Sequence, residues 1–108
     1  MNLLFICSRN KWRSTTAEAI YKDHSEYTVR SAGTEPSAAV RVNARLIAWA
    51  DIIFVMEKVH KERILEKFRE ELISKKIVIL DIEDDYQFMD PELVEMILVS
   101  VEGFMGLK

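Results

Sequence analysis

The sequence predicts an α/β domain in which a four-stranded parallel sheet carries helices on both faces, and three observations predict it. Short runs such as Leu3-Leu4-Phe5-Ile6, Ile52 to Met56 and Ile77 to Ile82 are apolar almost throughout, as strands buried on both faces are. Segments with apolar residues at helical spacing separate these runs, so each strand-helix-strand unit implies a parallel crossover. The chain has 108 residues and no internal repeat, linker or low-complexity tract, so one small domain spanning 1–108 is expected.

In order, residues 2–7 form the first strand and residues 14–24 the first helix, with Ala17, Ile20 and Tyr21 toward the sheet. The Thr15 to Glu18 spacing fits a capping box, with Ser14 as an alternative cap. Tyr27 to Ala32 is a second strand, Gly33 permits the turn after it, and Pro36 to Ala39 makes a loop. Val40 to Ala50 reads as a helix and Ile52 to Met56 as a third strand. Lys58 to Lys75 is a long charged helix with Leu65, Phe68 and Leu72 at helical spacing, followed by a fourth strand over Ile77 to Ile82. Glu83 to Asp90 is an acidic loop. Pro91, directly after Asp90, opens a last helix with Leu93, Ile97, Val101 and Phe104 on one side.

Composition narrows the function classes. The net charge is −3 with basic and acidic residues interspersed, so no global field argues for nucleic acid or an anionic membrane. The single cysteine precludes an intramolecular disulfide, and its spacing from the two histidines forms no metal-ligand pattern. No metal and no cofactor are expected. The apolar run before Cys7 is too short for a signal peptide, and no run approaches a membrane span of about 20 residues. A reduced, cytoplasmic location is the default expectation.

Chemistry concentrates in Cys7-Ser8-Arg9-Asn10-Lys11-Trp12-Arg13-Ser14, which lies between the first strand and the first helix. A buried strand, a tight loop and a helix N-terminus in that order converge backbone N–H groups and the helix dipole on one spot, where an anion binds well. Five residues separate Cys7 from Arg13. A connection of that length can curl its N–H groups around a tetrahedral oxyanion, with the sulfur at the floor and the guanidinium closing the rim. A helix N-terminus and neighbouring cations favour thiolate over thiol, and the thiolate is the one group in the cradle able to attack. Ser14 can donate its hydroxyl to the sulfur. Asn10 tolerates the left-handed backbone such a loop needs.

The alternative for a lone cysteine after an apolar strand is a small buried hydrophobe. An arginine and a serine at this spacing have no core rationale, so the nucleophile reading is preferred. Trp12 reads equally as a rim residue contacting substrate or as cover for the first helix. Arg9 and Lys11 are either solvated loop charges or contacts to a second anionic group. His24 and His60 sit among polar residues and are expected at the surface, while Trp49 and the five methionines are expected in the core.

The order strand, Cys-x-x-Asn-x-x-Arg-Ser, helix beginning x-x-Ala-Glu-Ala resembles the low-molecular-weight protein tyrosine phosphatases, whose loop reads Cys-x-x-Asn-x-Cys-Arg-Ser. Cys7, Asn10, Arg13, Ser14, Ala17, Glu18 and Ala19 fall on that pattern. Ser31-Ala32-Gly33-Thr34 is similar to the family's second strand, and Ala50 to Glu57 to its third, which commonly ends in Met-Asp. The resemblance implies a Rossmann-like three-layer domain with strand order 2-1-3-4. It also implies hydrolysis of phosphomonoesters, protein phosphotyrosine in the first place, through a cysteinyl-phosphate. The partner is then a phosphorylated protein or a small phosphomonoester.

The chain departs from the pattern at Trp12, which replaces the family's second loop cysteine, and at Arg9 and Lys11, which replace small and apolar residues. The segment between Ser31 and Met56 is also short and lacks the excursion that usually supplies an aromatic wall, so a shallower, more basic mouth is expected.

Attack on a phosphate ester expels an alkoxide or phenoxide, which calls for an acid near the leaving oxygen. The family keeps it after the fourth strand in Asp-Pro-Tyr. Here Asp84-Asp85-Tyr86 keeps the Asp and Tyr spacing, and Asp90-Pro91 keeps the dipeptide. Asp84 is the preferred acid, with Asp85 and Asp90 as alternatives, since Asp90 already suits a helix cap. Tyr86 or Phe88 can supply the aromatic wall.

Three rivals stand beside this reading. A thioredoxin-coupled arsenate reductase needs further cysteines that the chain lacks. A sugar-transport phosphocarrier shares the strand-end cysteine but leaves the arginine and serine unexplained. The rival from another class is a catalytically weak module that binds phosphate or a phosphopeptide in the intact loop.

Overall fold

A computed structural model describes residues 1–106. Strands β1 (Asn2–Cys7), β2 (Thr28–Gly33), β3 (Ile52–Val55) and β4 (Lys76–Ile79) form one parallel sheet in the order β2-β1-β3-β4. Helices α1 (Arg13–Tyr21), α2 (Ala44–Trp49), α3 (Lys58–Leu72) and α4 (Pro91–Met105) alternate with them. This is the Rossmann-like arrangement expected.

The period of two in β1 splits its apolar residues between two cores. Leu3, Phe5 and Cys7 face a cluster completed by α1 and α4 through Ala17, Tyr21, Leu93, Ile97 and Val101. Leu4 and Ile6 face the opposite cluster, completed by α2 and α3 through Leu46, Ile47, Ile64 and Leu72. Residues 3–6 of β1 have no exposed surface, which makes β1 the axis of the sheet. Full burial of each such side chain is worth about 1.5–3 kcal/mol.

Several element ends differ from expectation, each for a local reason. Helix α1 stops at Tyr21 instead of running to residue 24, where the His24 N–H closes a turn on the Tyr21 carbonyl. Its capping box does not form: Thr15 Oγ1 donates to the Lys11 carbonyl, and Glu18 instead accepts from Ser31 Oγ at 2.6 Å. Helix α2 starts at Ala44 rather than Val40, because Asn43 caps it and Val40 to Val42 pair with Gly33. Helix α3 kinks at Phe68 and ends at Leu72. Lys75 leaves the helix to donate its Nζ to the Ala48 and Ala50 carbonyls at the C-terminal end of α2.

Strand β4 ends at Ile79 because Asp81 has φ 59°, although Leu80 and Ile82 still donate to the Val55 and Met56 carbonyls. Asp90 caps α4 by accepting from the Glu92 N–H at 2.9 Å, with Pro91 at the first helical position. Met56 is fully buried, but Met1 and Met89 are exposed, and Trp49 is half-buried beneath the Arg30 guanidinium. Phe104 is 40% exposed and meets Phe54 only edge-on. No helix of the described residues is long and apolar enough to cross a membrane.

Gly33 ties the end of β2 to the Cys7–Ser14 loop. A Cβ there would stand 2.5 Å from the Ser8 carbonyl oxygen and 2.8 Å from the Asn10 nitrogen, both backbone atoms of the loop. Gly33→Ala should therefore cost about 2 kcal/mol or more, read as a lowered midpoint in urea unfolding.

Candidate active site

The loop from Cys7 to Arg13 lies at the carboxyl end of β1, where ligands bind in open parallel sheets. Its carbonyls are turned outward and engaged. The Cys7, Ser8 and Arg9 carbonyls accept from the N–H groups of Thr34, Glu35 and Ala39 at 3.0, 2.9 and 3.2 Å. The Trp12 carbonyl accepts from the Thr16 N–H at 2.9 Å. Carbonyls committed to one side leave the amides of the same peptides free for the other, which is the polarity an oxyanion cradle requires.

Asn10 fixes the curl. It takes φ 55°, the left-handed backbone expected of it. Its buried amide donates to Ser14 Oγ at 3.0 Å and Ser31 Oγ at 2.8 Å, while its Oδ1 accepts from the Val40 N–H at 3.1 Å. Because Ser14 Oγ already accepts from Asn10, its own hydrogen is free for Cys7 Sγ, 2.9 Å away. The Ser14 hydroxyl thus points a proton at the sulfur, the polarity that stabilises a thiolate.

Arg13 is buried at 2% exposure although it opens α1. Its Nη1 donates to Glu57 Oε2 and to the Ile82 carbonyl, and its Nε lies 3.6 Å from Asp84 Oδ1. A buried guanidinium without partners would be strongly unfavourable, and these three acceptors, delivered by the ends of β3 and β4, fix its fork. Glu57 escaped the sequence reading. Its signal was position, directly after Met56 at the carboxyl end of the third strand, where the family the chain resembles commonly carries an Asp.

A cleft of about 270 Å³ opens over the loop, lined by Cys7, Ser8, Arg9, Lys11, Trp12, Arg13, Glu35 and Asp84. Of the three candidate acids, Asp84 lines it; Asp85 does not, and Asp90 is occupied as the α4 cap. Trp12 lines the rim, with Lys11 Nζ 4.7 Å from its ring centre. Among the described residues Arg9 pairs with Glu35 alone, at 3.8 Å. Tyr86 is half-buried against the α1/α4 core and lies outside the cleft lining, and Phe88 is exposed. Among the described residues no group of His, Cys, Asp and Glu is arranged to hold a metal ion.

His60 corrects the expectation of a surface residue. It is fully buried at the start of α3, a position its polar neighbours in sequence disguise. Its Nδ1 accepts from the Glu57 N–H at 3.0 Å, so the ring proton sits on Nε2, which donates to Ser8 Oγ at 2.9 Å. His24 does lie at the surface, stacked on Tyr27.

Burial, aided by the Arg13 charge and opposed by Glu57, lowers the His60 pKa from 6.5 to about 4. The ring is neutral in the fold, while the unfolded chain takes up a proton below about 6.5. Its contribution to stability is therefore complete above pH 6.5 and lost as pH falls toward 4. Urea unfolding at pH 7 and 4.5 should show the native protein losing on the order of 2 kcal/mol more than His60→Asn, which has no ring to titrate.

No family model matches the chain, and no curated protein matches it. Solved structures do. The low-molecular-weight protein tyrosine phosphatase of T. tengcongensis superposes with a TM-score of 0.74 at 19% identity, over 99% of this chain and 99% of that one. The YwlE arginine phosphatase of Geobacillus stearothermophilus gives 0.70 at 23% identity, over 97% and 93%. Vibrio vulnificus Wzb, solved with benzylphosphonate, gives 0.71 at 21% identity, over 97% and 94%. At these identities the likeness is one of fold: the chain has the fold of the low-molecular-weight phosphatases over nearly its whole length.

Proposed function

We propose that the protein is a cysteine-dependent phosphatase that hydrolyses phosphomonoesters through a cysteinyl-phosphate. The observation that carries this reading is the Cys7 sulfur at the floor of the cradle, faced by the Ser14 hydroxyl at 2.9 Å and flanked by the buried Arg13. The fold shared with phosphatases supports it.

In the first step the Cys7 thiolate attacks phosphorus in line, the S–P bond forms and the P–O bond to the leaving group breaks. Arg13 and the amides of residues 8–13 hold the non-bridging oxygens as charge shifts onto them. Asp84 gives its proton to the departing oxygen. In the second step water attacks the phosphorus, Asp84 takes the water proton, and the S–P bond breaks to release phosphate. The Ser14 hydroxyl stabilises the thiolate that leaves.

Protein phosphotyrosine is the preferred substrate. Trp12 offers a ring face at the rim, while Arg9 and Lys11 repel a cationic leaving group such as the guanidinium of phosphoarginine. Hydrolysis of a phosphotyrosine peptide should exceed that of a phosphoarginine peptide of the same sequence, and the reverse order would reject this choice.

Hydrolysis of p-nitrophenyl phosphate between pH 4 and 8 tests the reaction itself. Cys7→Ser should abolish turnover; a variant that retains it would remove Cys7 as nucleophile. A phosphate- or phosphopeptide-binding module is the second reading, favoured by the ion pair in which Asp84 lies against Arg13 with its side chain 63% exposed. Phosphate bound without turnover by the native protein would select it.

The same ion pair yields a sharper test of Asp84. With a substrate of poor leaving group, Asp84→Asn should lower kcat by about 10²-fold or more. It should also tighten inorganic phosphate binding a few-fold, because one carboxylate repelling the anion is gone. Unchanged kcat in Asp84→Asn, with a loss in Asp85→Asn or Asp90→Asn, would move the acid.

A further inference from the structure

We propose that Ser8, oriented by His60, is a further catalytic donor of this site, its hydroxyl hydrogen-bonding to a non-bridging oxygen of the bound phosphoryl group. His60 is then a positioning residue that acts through Ser8. The proposal rests on the oxyanion cradle of the proposed phosphatase and not on turnover.

The Glu57 N–H occupies His60 Nδ1, which leaves the ring proton on Nε2 and makes Ser8 Oγ the acceptor of the 2.9 Å bond. A hydroxyl that accepts from a fixed donor must send its own hydrogen elsewhere. Among the described residues Ser8 Oγ has no other partner, and Ser8 lines the cleft above Cys7. An anion in the cleft is the acceptor in reach.

The donor is held rigidly. His60 is fully buried, and the Ser8 carbonyl is pinned by the Glu35 N–H at 2.9 Å. A hydroxyl of fixed direction aimed at developing negative charge adds to the backbone amides without reorganising during the reaction. The charged groups around the ring are Arg13 and Arg63 on one side of the balance and Glu57 and Asp84 on the other, and burial outweighs them in keeping the imidazole neutral. The neutral ring is the form with an acceptor for the Glu57 N–H and a donor for Ser8.

Two substitutions at position 60 separate this role from capping of α3, in which the His60 ring accepts the N–H of the N-cap residue Glu57. In His60→Asn the amide oxygen can replace Nδ1 and keep the cap, but nothing reaches Ser8. In His60→Gln the amide nitrogen can replace Nε2 and keep the contact to Ser8, while the cap is lost. Calorimetric binding of inorganic phosphate to the full chain, at a temperature where thermal unfolding shows each variant folded, reads the difference.

Ser8→Ala should weaken phosphate binding about tenfold or more, and Ser8→Thr should restore it. His60→Asn should fall by a similar factor, His60→Gln by less than threefold, and Ser8→Ala combined with His60→Asn no further than either alone. Native affinity in Ser8→Ala, or loss in His60→Gln with none in His60→Asn, would overturn the proposal. A native protein that binds phosphate in this Ser8-dependent way without hydrolysing p-nitrophenyl phosphate would sink the phosphatase reading and leave the Ser8 donor standing. A native protein that binds no phosphate would overturn both.

Discussion

Everything at the site depends on the carbonyls of the Cys7–Arg13 loop finding partners outside it. A loop whose amides converge on an anion cannot satisfy its carbonyls from within, and a buried carbonyl without a donor costs about 1–3 kcal/mol. The donors come from the short segment after β2, where the Thr34, Glu35 and Ala39 N–H groups take the Cys7, Ser8 and Arg9 carbonyls. Asn10 closes the arrangement from inside by binding Ser14, Ser31 and Val40 at once. Segment 34–43 is thus committed to holding the loop. That explains why helix α2 begins only at Ala44 and why little of this stretch is left to build a wall around the cleft.

The second constraint is the buried charge of Arg13. The guanidinium sits among Glu57, the Ile82 carbonyl and Asp84, a set of acceptors that offsets its desolvation. Glu57 and His60 share one turn at the start of α3, and that turn reaches both halves of the loop: Glu57 meets Arg13, and His60 meets Ser8. Two side chains at one helix end therefore position both the Arg13 guanidinium and the Ser8 hydroxyl.

Most of the elements were legible because hydrophobic period is a local property. The apolar run of β1, the helical spacing of α3 and the Asp90-Pro91 start of α4 each lie within a few consecutive residues. Errors fell at the ends. Lys75 and Val40 continue helical patterns in sequence, yet one is drawn off to cap α2 and the other to bind Asn10. His60 was misjudged because its neighbours in sequence are polar, whereas its burial is set by the loop that folds over it.

The chain by itself determined the strand, loop and helix that carry Cys7, Asn10, Arg13 and Ser14, because these residues are close in sequence and the spacing between sulfur and guanidinium is a property of one short loop. Tertiary structure alone decided what surrounds them. Glu57 reaches Arg13 across 44 residues, His60 reaches Ser8 across 52, and Ser31 meets Asn10 across 21. Those meetings follow from the sheet: its strands are all parallel, which puts their carboxyl ends along one edge, and the β2-β1-β3-β4 order makes the ends of β2 and β3 neighbours of the β1 loop. Spacing in a single sequence carries no signal for contacts that exist only once the neighbouring strands have paired.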